Sequence, residues 1–413
     1  MNEINKSILD QGLRLVTEQV PGAASAALGL FVEAGSRDET PAEHGLAHLI
    51  EHMVFKGAPG RDKLTIARQI DRQGGLANAY TTKEHLCFHT RVRPEHLAEA
   101  LDLLTDIFQN SLYDETELAL EKGVIQQEIA MYEDEPEELV HELGAAQFWP
   151  DHPLGRPVAG TPESVAVLTG ADIRRWLDRE AVGPRLIVAA AGAVEHERLA
   201  DLVAARLQPR PQTVPRVLTP PAASPKLTVK RRKLEQAHLV LTAPFPSAGD
   251  EGRLAASIIN LALGGNMSSR LFQEIREKRG LAYSVYSSYS AYRDAGTLEI
   301  YAAAAPDKIG ETRRLILDEL TAARDKPLSQ DELGEAVGGL ITALALARDS
   351  LDSRLSRLAR NEMTYGRQVD LAETKARLQA VTPDQARSLA AEYLRPERFG
   401  TCVLGPVTKA AVL

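Results

Sequence analysis

His44-Gly45-Leu46-Ala47-His48-Leu49-Ile50-Glu51-His52-Met53-Val54-Phe55 is the stretch around which the rest of the chain has to be read. Leu46, Leu49, Ile50, Met53 and Val54 recur at helical spacing, which predicts a buried amphipathic helix. His48 and His52 are four residues apart, one turn on the same face and about 6 Å apart along the axis. Glu51, three residues after His48, borders that face. Two imidazoles and a carboxylate projecting together suit a zinc ion and a base. Five residues alone would equally describe a helix carrying two solvated histidines, so the remainder of the chain must decide.

The 413 residues are enough for two or three domains with a sizeable core. Lys plus Arg number 48 against 57 Asp plus Glu, a net charge of −9. That balance leaves no basic footprint for nucleic acid, and none is expected as a partner. The one short basic run, Lys230-Arg231-Arg232-Lys233, reads as a solvated strand end. Cys87 and Cys402 make no disulfide framework and fit a reducing compartment. The N-terminal residues show no charged segment followed by an apolar one, and Glu3 and Asp10 argue against a transit peptide. No apolar run approaches the roughly 18 residues of a membrane helix. The expectation is a soluble cytoplasmic protein with no membrane partner.

Apolar alternation predicts strands at residues 13–18 and 24–34, and a loop at 35–41 leads into the histidine helix. A helix at 63–73 ends at Gly74-Gly75, a stop signal. Strands follow at 76–81 and 86–92. Pro94 opens a helix to 109, Asp114 caps another to 132, and more helix covers 136–147. A helix at 171–182, a strand at 186–193 and a helix at 195–206 complete this half. Six prolines between 209 and 225 mark a semi-rigid linker.

The second half repeats this grammar. Strands are predicted at 226–232 and 237–243, then a helix at 251–263, Gly264-Gly265 and a helix at 268–278. Strands at 282–290 and 296–303, a helix from Pro306 to 324 and a helix from Gln330 follow. Arg93-Pro94-Glu95 matches Ala305-Pro306-Asp307, and Asp114-Glu115-Thr116-Glu117-Leu118 matches Ser329-Gln330-Asp331-Glu332-Leu333. The reading is a divergent internal duplication of an α+β domain: a mixed or antiparallel sheet flanked by helices. Domains are expected at 1–208 and 226–413, with the linker at 209–225. Two unrelated α+β domains would produce a similar pattern by chance.

A catalytic zinc site takes a third protein ligand besides the two histidines. The helix Glu121–Tyr132 offers Glu121 and Glu128, two turns apart on one face. Roughly 10 Å of rise separates them, so equivalent roles are not expected. They project onto Ala336 and Ala343 of the second half, and nine of the ten histidines lie in the first half. One metal site per chain follows, in the first half.

Gly35–Gly57, Gly74–Glu84 with Asn78-Ala79-Tyr80-Thr81-Thr82, Glu121–Tyr132 and Met267–Tyr286 resemble the pitrilysin family of zinc peptidases. The resemblance is to its bacterial, mitochondrial-processing-peptidase-like branch, and the order His-x-x-Glu-His is the inverzincin motif. It spans nearly the whole chain. It implies His48, His52 and Glu128 as ligands of one zinc ion, Glu51 as general base and Glu121 as an acid supporting the ligands. It places Asn78 and Ala79 on an open strand edge that receives substrate, and Arg276 and Tyr283 of the metal-free half as substrate-binding and catalytic residues. Two homologous domains closing like a clamshell are implied. The chain departs from the family in Leu49 after the first histidine, where Phe is common, and in Gly264-Gly265-Asn266 in place of three glycines.

The implied activity is a zinc-dependent endopeptidase, a processing peptidase that cleaves unstructured peptides or precursor segments. Glu51 would take a proton from a water acidified by the metal and return it to the leaving amine. The peptide would add to the edge at Asn78–Thr82 through its backbone. The alternatives are a non-catalytic partner subunit and one chain of a heterodimer. An intact His48, Glu51, His52 and Glu128 set argues against the first. The presence of both the ligand set and the Arg276/Tyr283 pair argues against the second: the chain can serve alone or as a homodimer, and a homodimer is the expectation.

Overall fold

The computed structural model describes residues 3–213, 215–326 and 328–413; Val214, within the expected linker, lies outside them. Among the described residues there are thirteen strands: β1 (Glu3–Ile8), β2 (Arg14–Gln19), β3 (Ala26–Val32), β4 (Gly57–Ala58), β5 (Arg61–Asp62), β6 (Asn78–Thr81), β7 (Leu86–Val92), β8 (Leu186–Gly192), β9 (Leu227–Arg231), β10 (Ala237–Pro244), β11 (Ala282–Ala291), β12 (Gly296–Ala304) and β13 (Gly400–Gly405). Five helices of the first half matter below: α1 (Leu46–Met53), α2 (Lys63–Gln73), α3 (Leu97–Asn110), α4 (Glu115–Asp134) and α5 (Pro136–Phe148).

A six-stranded sheet runs β1-β2-β8-β3-β7-β6, and a five-stranded sheet runs β9-β13-β10-β12-β11. β2 is parallel to β8, as β9 is to β13, and every other adjacent pair in the two sheets is antiparallel. Without β1, the first sheet therefore has the topology of the second, strand for strand. This agreement of pairing and direction supports the duplication read from the sequence. β1 itself was not predicted; only short local alternation marks it, and it is an edge strand with three of its six residues exposed.

The central strands are continuous apolar runs. β3 reads Ala-Ala-Leu-Gly-Leu-Phe-Val and β8 Leu-Ile-Val-Ala-Ala-Ala-Gly, and every residue of both is buried. Such strands need a covering layer on each face. One face of the first sheet packs on a core that includes α1 and α3 residues. The other packs on Leu355, Leu358 and Ala359 of the helix Leu351–Tyr365. In the second sheet, Val240, Tyr301, Cys402 and Leu404 pack against Leu139 and Val140 of α5.

This covering changes the expected domain limits. The two compact units are residues 1–130, 157–217 and 346–368, and residues 131–156, 218–345 and 369–413. A division near the linker is present, at 217/218, but the contiguous limits 1–208 and 226–413 do not describe the units. Each half of the sequence gives one helix to the sheet of the other half: α5, which follows α4, and the helix Leu351–Tyr365, which follows the matching helix Gln330–Ala347. The physical reason is burial: each sheet is apolar on two faces, and the exchanged helix covers the face that its own half leaves open.

Candidate metal centre

α1 is the element that the opening motif predicts. Leu46, Ala47, Leu49, Ile50 and Met53 are fully buried on its inner face. Its start is unusual. Gly45 sits at φ +91°, and a Cβ there would lie 2.9 Å from the Ala159 carbonyl oxygen. The buried Glu39 carboxylate accepts from the backbone N–H of Gly45 at 2.9 Å and of Ala47 at 2.8 Å. An anion in that place satisfies free N–H groups and complements the helix dipole.

The outer face of α1 presents His48 and His52, with ring centroids 4.7 Å apart. Glu128 of α4 reaches both: its Oε2 is 3.4 Å from His52 Nε2 and 3.8 Å from His48 Nε2. One ligand atom from each of the three falls within 4.8 Å of the others. Bonds of about 2.0–2.1 Å at tetrahedral angles put ligand atoms about 3.3 Å apart, so His48, His52 and Glu128 need only a small contraction to hold an ion. Two imidazoles and one carboxylate are a donor set that suits zinc and leaves a fourth position open. Among the described residues no other group of three His, Cys, Asp or Glu side chains converges in this way.

Glu121, two turns before Glu128, does something else. Its Oε2 is 3.1 Å from His52 Nδ1 and its Oε1 is 2.7 Å from Lys56 Nζ. A carboxylate on the far nitrogen sets the tautomer that leaves Nε2 free for a metal. His48 has no such partner; its Nδ1 is buried and makes no hydrogen bond to the described residues. Burial, and then the neighbouring His52, holds the His48 imidazole down at about 4, so the ring is neutral at physiological pH, as a ligand must be.

Glu51 projects beside the histidines and is partly buried. Its Oε2 accepts a 2.6 Å hydrogen bond from Thr81 Oγ1 at the end of β6. Burial raises its carboxyl above the usual range and Glu128 adds to this, while the Thr81 hydrogen bond and His52 pull the other way. A raised carboxyl suits a group that must take up and release a proton near neutral pH.

Among the described residues β6 is the outermost strand of its sheet, paired only with β7. Asn78 is exposed, and its Oδ1 accepts from the backbone N–H of Ala79 at 2.9 Å; Ala79 is buried. Thr81 lies within the Asn78–Thr82 stretch with no local signal of a role of its own; only the fold brings it to Glu51. Lys56 and Glu39 were likewise missed, since a single Lys or Glu beside a helix carries no local signal.

Arg276 and Tyr283 belong to the second unit. The Arg276 guanidinium lies 4.9 Å from the Tyr283 ring and 4.7 Å from the Phe272 ring. The predicted α-helix at 268–278 is instead π-helical over Phe272–Glu277, the segment that carries Arg276. Tyr283 is the extra residue of a bulge between β11 and β12, where the register shifts between Ala282 and Ser284. It is 79% exposed. Widened helical turns and bulges both re-aim side chains at a cost in regular pairing.

Residues 14–162 match the insulinase family of peptidases, peptidase family M16, and residues 168–340 match the peptidase M16 inactive domain. The chain belongs to the M16 family. It is 40% identical to an uncharacterized zinc protease of Streptomyces coelicolor, over 98% of this chain and 90% of the relative. It is 34% identical to the uncharacterized zinc protease YmxG of Bacillus subtilis, over 98% of each. Among solved structures, a peptidase M16 inactive domain from Pseudomonas fluorescens superposes with a TM-score of 0.90 at 20% identity, covering 98% of this chain and 99% of that one. A protease from Helicobacter pylori gives 0.90 at 18% identity, over 98% and 100%; these two likenesses speak to the fold alone. Among the described residues no helix is long and apolar enough to cross a membrane.

Proposed function

We propose that this chain is a zinc-dependent endopeptidase that cleaves unstructured peptides or precursor segments. The observation that carries the reading is the convergence of His48, His52 and Glu128 beside Glu51 and the open edge of β6. A zinc ion held by the three ligands would supply a water acidified toward neutrality and a Lewis acid for the scissile carbonyl. The protein's own part is proton handling and binding. Glu51 takes a proton from the attacking water, whose oxygen bonds to the scissile carbonyl carbon, and passes that proton to the amine nitrogen as the C–N bond breaks. Glu121 holds His52 in the ligating tautomer. The peptide pairs with β6 through its backbone, which requires an extended, unfolded segment. Arg276 and Tyr283 hold substrate.

One chain carries both the ligand set and the Arg276/Tyr283 pair, so the reading needs no second kind of subunit. We read the working form as a cytoplasmic homodimer with one zinc per chain. The test combines the native mass, the zinc content of the purified chain and digestion of a diverse peptide library read by mass spectrometry. Glu51→Gln should keep zinc and lose cleavage. Loss of stoichiometric zinc in that variant would make Glu51 a ligand and refute its role as base. A wild-type chain that holds zinc but cleaves no peptide would leave the partner-subunit reading.

A further inference from the structure

Thr81 links two parts of the proposed site that the motif does not connect. It ends β6, the strand with the open edge, and its hydroxyl donates to Glu51 Oε2 at 2.6 Å. The Ala47 carbonyl lies at 3.4 Å from the same hydroxyl and competes poorly for its single proton. The contact thus fixes one oxygen of the carboxylate.

The position of Thr81 is itself tightly set. The turn after it is closed by Thr82, whose Oγ1 accepts from the backbone N–H of Glu84 at 3.2 Å and of His85 at 3.0 Å. The loop before α1 grips the same turn: Ser36 and Arg37 donate backbone N–H groups to the carbonyls of Thr82 and Lys83. Gly35 makes that approach possible, since a Cβ there would fall 2.3 Å from the Thr82 carbonyl oxygen. Thr81 is β-branched, with few χ1 choices in a strand. A stiff donor on a clamped turn is what preorganisation of a reacting carboxylate requires.

We propose that Thr81 is a positioning residue for Glu51: its hydroxyl aims the carboxylate, and so ties the strand that seats the peptide to the group that moves the proton. The proposal rests on the peptidase reading above. Thr81→Val keeps the shape and removes the donor, while Thr81→Ser keeps the donor. With a peptide substrate, Thr81→Val should lower kcat by 10-fold or more, roughly within the 100-fold range of a misplaced group. KM and zinc content should stay within about 2-fold, because neither ligand nor substrate contacts are removed. Thr81→Ser should recover most of the rate. Crystal structures should show Glu51 held by residue 81 in the wild type and in Thr81→Ser, and displaced in Thr81→Val. An unchanged kcat in Thr81→Val with an active wild type would overturn the proposal. So would a zinc loss that matches the rate loss, or a Glu51 carboxylate that stays in place without its donor. A wild type that cleaves no peptide refutes the peptidase reading instead.

Discussion

Changing Glu121 and Glu128 separately to glutamine asks the two acids of α4 to reveal different roles. Glu128 Oε2 lies 3.4 and 3.8 Å from the two imidazole nitrogens, whereas Glu121 reaches only His52 Nδ1 and Lys56. A glutamine at 121 has one acceptor oxygen and an NH2 group, so it can satisfy His52 or Lys56 but not both. Losing one hydrogen bond to a charged partner costs about 1.5–3 kcal/mol. That is roughly 10- to 100-fold in zinc affinity, the range measured for groups that support metal ligands. At 128 the change removes the only anionic donor, and the loss should exceed roughly 100-fold. The assay is titration of the metal-free chain with zinc against a chromophoric chelator at neutral pH. Wild-type affinity in Glu128→Gln would refute the ligand assignment. A loss in Glu121→Gln equal to that in Glu128→Gln would refute the division of labour.

Gly45→Ala forces a side chain into φ +91° and against the Ala159 carbonyl; it should cost about 1–3 kcal/mol of stability, seen as a lower urea midpoint, and an unchanged midpoint would contradict the geometry. In the second unit, burial lowers the His141 pKa but is outweighed by the Glu299 hydrogen bond, with the Glu299, Glu137 and Glu138 charges adding to it, so its folded value is above 6.5. A folded value above the unfolded one gives stability that is full below about pH 6.5 and lost as pH rises through the folded value. The gap in thermal midpoint between wild type and His141→Gln should therefore narrow from pH 6 to about pH 9, and a gap that widens would reverse the sign. Tyr283→Phe should lower kcat about 100-fold if its hydroxyl stabilises the oxyanion, whereas Arg276→Ala should mainly raise KM; an unchanged kcat in Tyr283→Phe with chemistry rate-limiting would remove that hydroxyl from the chemical step.

Local spacing carries a good deal of this protein. The repeat of Leu46, Leu49, Ile50 and Met53 specifies α1 and its buried face, and two histidines one turn apart follow from the same period. The two-turn gap between Glu121 and Glu128 is enough to predict unequal roles, because a rigid helix cannot bring both to one point. The two apolar grammars, with Gly-Gly and Pro landmarks in step, are enough to predict a repeated α+β domain. What remained hidden depends on contacts between residues far apart in sequence. The exchange of α5 and the helix Leu351–Tyr365 is decided by which sheet face lies open, and a helix's own period does not say which sheet it will cover. The π-helical turn under Arg276 and the bulge at Tyr283 depend on how a helix end meets a strand, and neither has a local signature. Thr81 meets Glu51 across 30 residues of chain, because the β6–β7 hairpin lies against α1: spacing along one element places its side chains on a face, and only packing between elements decides what that face will touch.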